Sequence, residues 1–336
     1  MSRNNKPYIL AAAGVVIVTL SELAAAQSAV PAASAASGSP VYTDSAAATQ
    51  LVSVTSLRQM LTISNALSAR TMTRTGPGIT ADAGQRFGMA AGGEADKWNV
   101  WSSLSGDRNT YDNGTSRFGA SATNWVLGGD YALAPTVNLG LSVAADAVDG
   151  SGGLRVAQGT YTSSGYTIAP YIGWQFSKDW SLDGTLGWGE GDYTSGGVIA
   201  NQKRVFYGAN LNYAQWYGNW QLSGKGSYLY GEEKYDATGI STSTKNKVDQ
   251  WRIGGQAGYW MDGLMPYAGL AYSNDSRSNP GAGQPDDLGK SAWLWTLGLN
   301  FISIKNSATG GIVYSSESGR SHSKSQNLMA NINLRF

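Results

Sequence analysis

The single histidine, His322, lies between Ser321 and Ser323. An imidazole beside a hydroxyl can serve hydrolysis as a general base, provided a third group orients it. The surrounding segment is rich in Ser, Lys and Arg and reads as a loop, which offers no rigid platform for such a triad. A solvated loop residue is therefore expected at 322. Gly187-Trp188-Gly189-Glu190-Gly191 has the look of a phosphate cradle. No helix follows it, so no helix N-terminus would meet an anion. Glycines that relieve crowding in a strand are the expectation there. Glu232-Glu233 and Asp286-Asp287 fall in expected outer loops, and their oxygens could approach calcium. Two adjacent carboxylates fall short of the about six to eight oxygens that this ion takes. With no cysteine, disulfide and thiol chemistry are absent. The chain is thus expected to be a non-enzyme with no cofactor and no metal.

Composition points toward a scaffold. The chain has 24 basic and 23 acidic residues among 336, a formal charge of +1, which gives nucleic acid nothing to bind. Only 14% of residues are charged, against 44 glycines, 12 tryptophans and 18 tyrosines. Such a balance suits many strands rimmed by aromatics. At the N-terminus, Arg3 and Lys6 precede an apolar run from Tyr8 to Leu20, and Ala24-Ala25-Ala26 supplies small residues for cleavage. This predicts a secretory signal peptide over 1–26, too short to span a bilayer. No later apolar run is long enough for a transmembrane helix, so any membrane span must be built from strands.

The chain's last residues alternate strictly. Leu328, Ala330, Ile332, Leu334 and Phe336 form one face, and Asn327, Met329, Asn331, Asn333 and Arg335 the other. Termini usually fray. A barrel is the exception, because its last strand closes on its first and leaves no edge. Similar alternation recurs from Lys97 onward. Leu139, Leu141 and Val143 alternate with Gly140 and Ser142; Trp293, Trp295, Leu297, Leu299 and Phe301 alternate with Thr296 and Asn300. About twelve strands result, an even number, each able to supply the ~9–11 residues that cross the hydrocarbon. The facing of the ninth, over 264–273, is ambiguous. The other face carries Asp130, Asp183, Lys225, Arg252 and Arg335. A dry core would reject these charges unpaired, so the apolar face is the outside and the five charges are pore-lining. Turns after even strands are short. Those after odd strands, at 106–117, 147–160, 191–202, 231–247, 274–290 and 317–325, are expected to be long loops on the outer side.

Upstream, residues 27–48 are rich in Ala, Ser and Pro and read as a flexible segment. Over 49–75, Leu51, Val54, Leu57, Leu61, Ser64 and Leu67 recur at helical spacing, with Arg58, Arg70 and Arg74 elsewhere and Asn65 on a polar face. Gly76-Pro77-Gly78 ends that helix. A twelve-stranded wall leaves room for one helix of ~10–12 Å diameter. The fold class is therefore all-β: a transmembrane antiparallel barrel over 97–336, with one N-terminal pore helix over 49–75 and a connection over 76–96.

Residues from about Trp98 to Phe336 resemble the autotransporter β-domain, the translocator of type V secretion. The resemblance rests on Trp98-Asn99-Val100-Trp101-Ser102, on Leu127-Gly128-Gly129-Asp130-Tyr131, on Tyr166 through Trp174, on Trp180 through Gly189, on Pro266 through Tyr272, and on the last strand. In that family a helix threads the pore just before the first strand, and 49–75 stands in that place. Some members cleave themselves at an Asn in this helix. Asn65 is the Asn of that segment here, and a polar helix face in a wet pore is its expected role. The resemblance also implies that Leu328, Ile332, Leu334 and Phe336 form the signal read by the barrel-assembly machinery. Outer-membrane lipid is the other expected partner, in the bacterial outer membrane, with the barrel a monomer. Only 27–48 would remain as cargo, too little to fold. The leading expectation is a barrel that translocates or displays this short segment. A passive channel or surface-loop adhesin plugged by its helix is the alternative. A surface lipid or peptide hydrolase ranks below both.

Overall fold

A computed structural model of the chain describes residues 60–65, 97–114, 116–154, 157–195, 198–237, 244–278, 289–303 and 308–335. The expected signal peptide, flexible segment and connection lie outside these, as do Arg58, Arg70, Arg74 and Phe336.

Twelve strands form one closed antiparallel barrel. They are β1 (Trp98–Asp112), β2 (Ser116–Ala134), β3 (Val137–Leu154), β4 (Ala157–Trp174), β5 (Trp180–Ser195), β6 (Val198–Tyr217), β7 (Trp220–Ala237), β8 (Thr244–Tyr259), β9 (Leu264–Ser278), β10 (Ser291–Ser303), β11 (Ala308–Ser318) and β12 (Ser323–Arg335). Each pairs with its sequence neighbours, and β12 pairs with β1. Val100 lies opposite Leu334 and Tyr111 opposite Ser323, so the closing seam runs the length of both strands.

Alternation builds the wall inside out. On β1, Trp98 and Val100 are exposed while Asn99, Trp101, Ser103 and Ser105 are buried. Leu139, Ile168, Leu182, Leu222, Ile253 and Leu297 are exposed on their strands too, with Leu297 62% accessible. A water-facing surface this apolar would associate, whereas hydrocarbon accepts it. On the ninth strand Leu264 and Leu270 face out, while Met265 is buried on the inner side. Two aromatic rims bound the belt. One carries the pairs Trp98–Tyr131, Trp174–Phe176, Trp180–Tyr213 and Trp220–Tyr259. The other carries Tyr207–Tyr230, Trp251–Tyr272 and Tyr272–Trp293. Amphipathic rings favour both interfaces.

The even-strand turns are tight. At Asp262-Gly263 both residues have positive φ, 46° and 96°. A two-residue type I′ hairpin demands this, and Asp-Gly supplies it. The odd-strand connections differ from expectation. Most residues assigned to long loops are paired strand: β3 and β4 stay in register to Leu154 and Ala157, and β5 and β6 to Ser195 and Val198. Their Gly, Ser and Thr content hides them from a hydropathy reading, yet main-chain ladder bonds need no apolar side chain.

Candidate functional site

Inside the barrel, residues 60–65 form a helical turn. Met60, Leu61, Thr62, Ile63 and Ser64 are all buried, not one stripe as the helical spacing predicts. The turn lies on β6 and β7, where glycines open the wall. A Cβ at Gly231 would strike the Met60 sulfur, and one at Gly208 would come within 3.0 Å of Ser64 Oγ. Met60, Leu61 and Ile63 share an apolar cluster with Trp101, Val126, Tyr171, Phe206, Leu229 and Val248 of the inner wall. Phe206 itself fits only because Gly187 opposite it has no side chain. That glycine belongs to the run that looked like a phosphate cradle, and close packing accounts for it.

Polar side chains brace the same wall between strands. Asp130 accepts from Asn99 Nδ2 at 3.1 Å and from the Tyr171 hydroxyl at 2.9 Å, and Trp101 Nε1 donates to that hydroxyl at 2.7 Å. Asp183 accepts from Asn210 Nδ2 at 2.6 Å and Asn212 Nδ2 at 2.9 Å. On β1, Asp107 accepts from Asn124 of β2 at 3.0 Å and, across the seam, from Asn327 of β12 at 2.9 Å. Arg204 on β6 reaches Asp146 on β3 at 2.7 Å and Glu233 on β7 at 3.4 Å. Gln202 and Tyr235 also donate to Glu233. Farther round, Asp275 meets Arg277 at 2.7 Å and Arg320 at 2.5 Å, and Arg320 holds Glu317 at 2.5 Å. A buried charge is tolerated only with such partners.

These ion pairs join residues other than the five charges expected to line the pore. Glu233 falls in a stretch expected to be a loop, and Arg204 lies just beyond one. Extending the strict alternation of β6 from Asn210 back to Arg204 would have placed the arginine inward. Glu232 and Glu233 are consecutive strand residues on β7 and face opposite sides, so they cannot share an ion. Asp286 and Asp287 lie outside the described residues. His322 is exposed between β11 and β12, its ring 6.2 Å from that of Tyr111. Its carbonyl accepts from the Asp112 amide at 2.9 Å.

Beside the turn, the other half of the lumen holds a cavity of about 370 Å³. Leu61, Thr62 and Asn65 face it from the turn, and Lys225 and Arg252 from β7 and β8. Amides and hydroxyls of β10 to β12, such as Asn300, Asn331 and Asn333, complete the wall. Of the five charges expected in the pore, Asp130 and Asp183 are buried on the inner face, Lys225 and Arg252 line the cavity, and the Arg335 side chain lies outside the described residues. Leu328, Ile332 and Leu334 lie on β12, against β1 and β11.

Residues 100–211 match the family model of the autotransporter β-domain. No curated protein matches the sequence significantly. Among solved structures, the translocator domain of autotransporter NalP from Neisseria meningitidis aligns over 71% of this chain and 89% of its own, at 12% identity and a TM-score of 0.58. The β-domain of the Bordetella autotransporter BrkA aligns over 72% and 100%, at 13% identity and 0.58. The transport unit of AIDA-I from Escherichia coli aligns over 81% and 98%, at 12% identity and 0.56. At these identities the likeness is one of fold. The apolar outer belt and the twelve-stranded closure make the chain a membrane β-barrel with the fold of the autotransporter translocator domains, and its sequence matches the model of that β-domain over 100–211.

Proposed function

We propose that the barrel is a non-enzymatic membrane module that carries or displays, through its lumen, the chain segment N-terminal to the helical turn. One observation carries this reading: the turn at 60–65, which precedes β1 in the chain, is buried against the inner faces of β6 and β7. An epitope inserted within 27–48 tests it. On intact cells the epitope should bind antibody and yield to added protease. Detection only after permeabilisation would overturn the proposal.

A plugged passive channel is the second reading, favoured by the cavity that the turn leaves beside it. It expects ion conduction whatever the position of the epitope.

A further inference from the structure

We propose that the lumen cavity is a binding site for a small oxyanion, a phosphate or carboxylate group, held between Lys225 and Arg252. Both residues face the cavity from adjacent strands. Lys225 lies opposite Gly254, and Ser227 opposite Arg252, so the two cations are diagonal neighbours on one face. Diagonal positions stand ~7–8 Å apart, which long side chains bridge readily. Two like charges this close repel each other, and an anion bound between them would offset that repulsion.

The acids nearby are shared with other partners. Asp183 accepts from both Asn210 and Asn212. Asp275, whose charge acts on Arg252, is held by Arg277, Arg320 and Gln250. Asp107, the acid in the cavity lining, accepts from Asn124 and Asn327. Arg252 donates from Nη2 to Gln250 at 3.2 Å, while its Nε is buried without an acceptor. Ser227 Oγ, on the same wall, is buried and unpartnered as well. Buried donors without acceptors are costly, and an oxyanion between the two cations would accept from ammonium and guanidinium. Room is not limiting, since 370 Å³ far exceeds the ~10–15 Å³ that one water needs. This inference does not depend on what the N-terminal segment does.

Thermal unfolding of the full chain in detergent, followed by heat-modifiable gel mobility, tests it. Inorganic phosphate at millimolar concentration should raise the midpoint by several degrees relative to sodium chloride of equal ionic strength, because a ligand of the folded state stabilises it. In Lys225→Gln/Arg252→Gln the phosphate shift should vanish. Each single variant should retain a reduced shift, which keeps the test open should the double variant fail to fold. No shift in the wild-type protein, or an equal shift in the variants, overturns the proposal.

Discussion

Met60 of the lumen turn rests on Gly231 of β7 so closely that a methyl group at position 231 would collide with its sulfur. Beside them, Phe206 lies directly opposite Gly231 across the β6–β7 ladder. The wall is therefore shaped to the turn, with a glycine beneath the bulkiest side chain that the turn presents.

Gly231→Leu should push the turn away from the wall. Conductance in a planar bilayer should then rise several-fold, as it should on removing residues 27–78, because a twelve-stranded lumen is wider than its own side chains can close. Gly231→Ala should have little effect, since the thioether can swing aside. Conductance unchanged by both the leucine and the deletion would place the segment outside the lumen's conducting path.

Arg204→Met should leave Asp146 and Glu233 as buried carboxylates without their shared cation. Breaking a buried pair in this way costs about 3–5 kcal/mol. The loss should shrink as pH falls, because protonation neutralises the stranded acids. Urea unfolding of the barrel in vesicles at two pH values would read both effects. A loss independent of pH would count against the charge argument.

Leu297→Arg places a cation on the lipid face and should cost about 2–4 kcal/mol if the site is near mid-bilayer. Thr296→Arg, one residue away, points into the lumen and should be far milder. The fraction of heat-modifiable barrel in membranes distinguishes them. Equal losses would contradict the assignment of faces.

Sidedness can be read with single cysteines, since the chain has none of its own. Asn113 lies between β1 and β2, and Asn219 in the turn between β6 and β7. A membrane-impermeant maleimide on intact cells should label Asn113→Cys and spare Asn219→Cys. The reverse pattern would invert the topology.

Much of the barrel was legible because the lipid face is a strict period-two apolar row, as in Leu297 and Leu299. Where both faces are apolar, that signal fails: on β9 Leu264 and Leu270 face out while Met265 is buried inside. It fails again where strands leave the hydrocarbon. Gly150-Ser151-Gly152 pairs with Tyr161, Thr160 and Gly159 through main-chain bonds that side-chain type does not announce. The lumen was the least legible part. A wet, charged interior explained Asp130, Asp183, Lys225 and Arg252, but not Trp101 and Phe206, which face inward and pack with the turn. Nothing local marks these aromatics as inward except the glycines opposite them.

The hydrogen bond from Asn327 to Asp107 spans 220 residues of chain and ties the last strand to the first. Such a contact has almost the greatest sequence separation the barrel allows, so its loop-closure entropy must be met before it returns anything. No N-terminal fragment can seal the wall. While the final strand is missing, β1 presents an open row of unpaired amides and carbonyls that hydrocarbon would penalise at every step. Completion is therefore a single late event, and a nascent chain of this design has to be kept from folding until its end arrives.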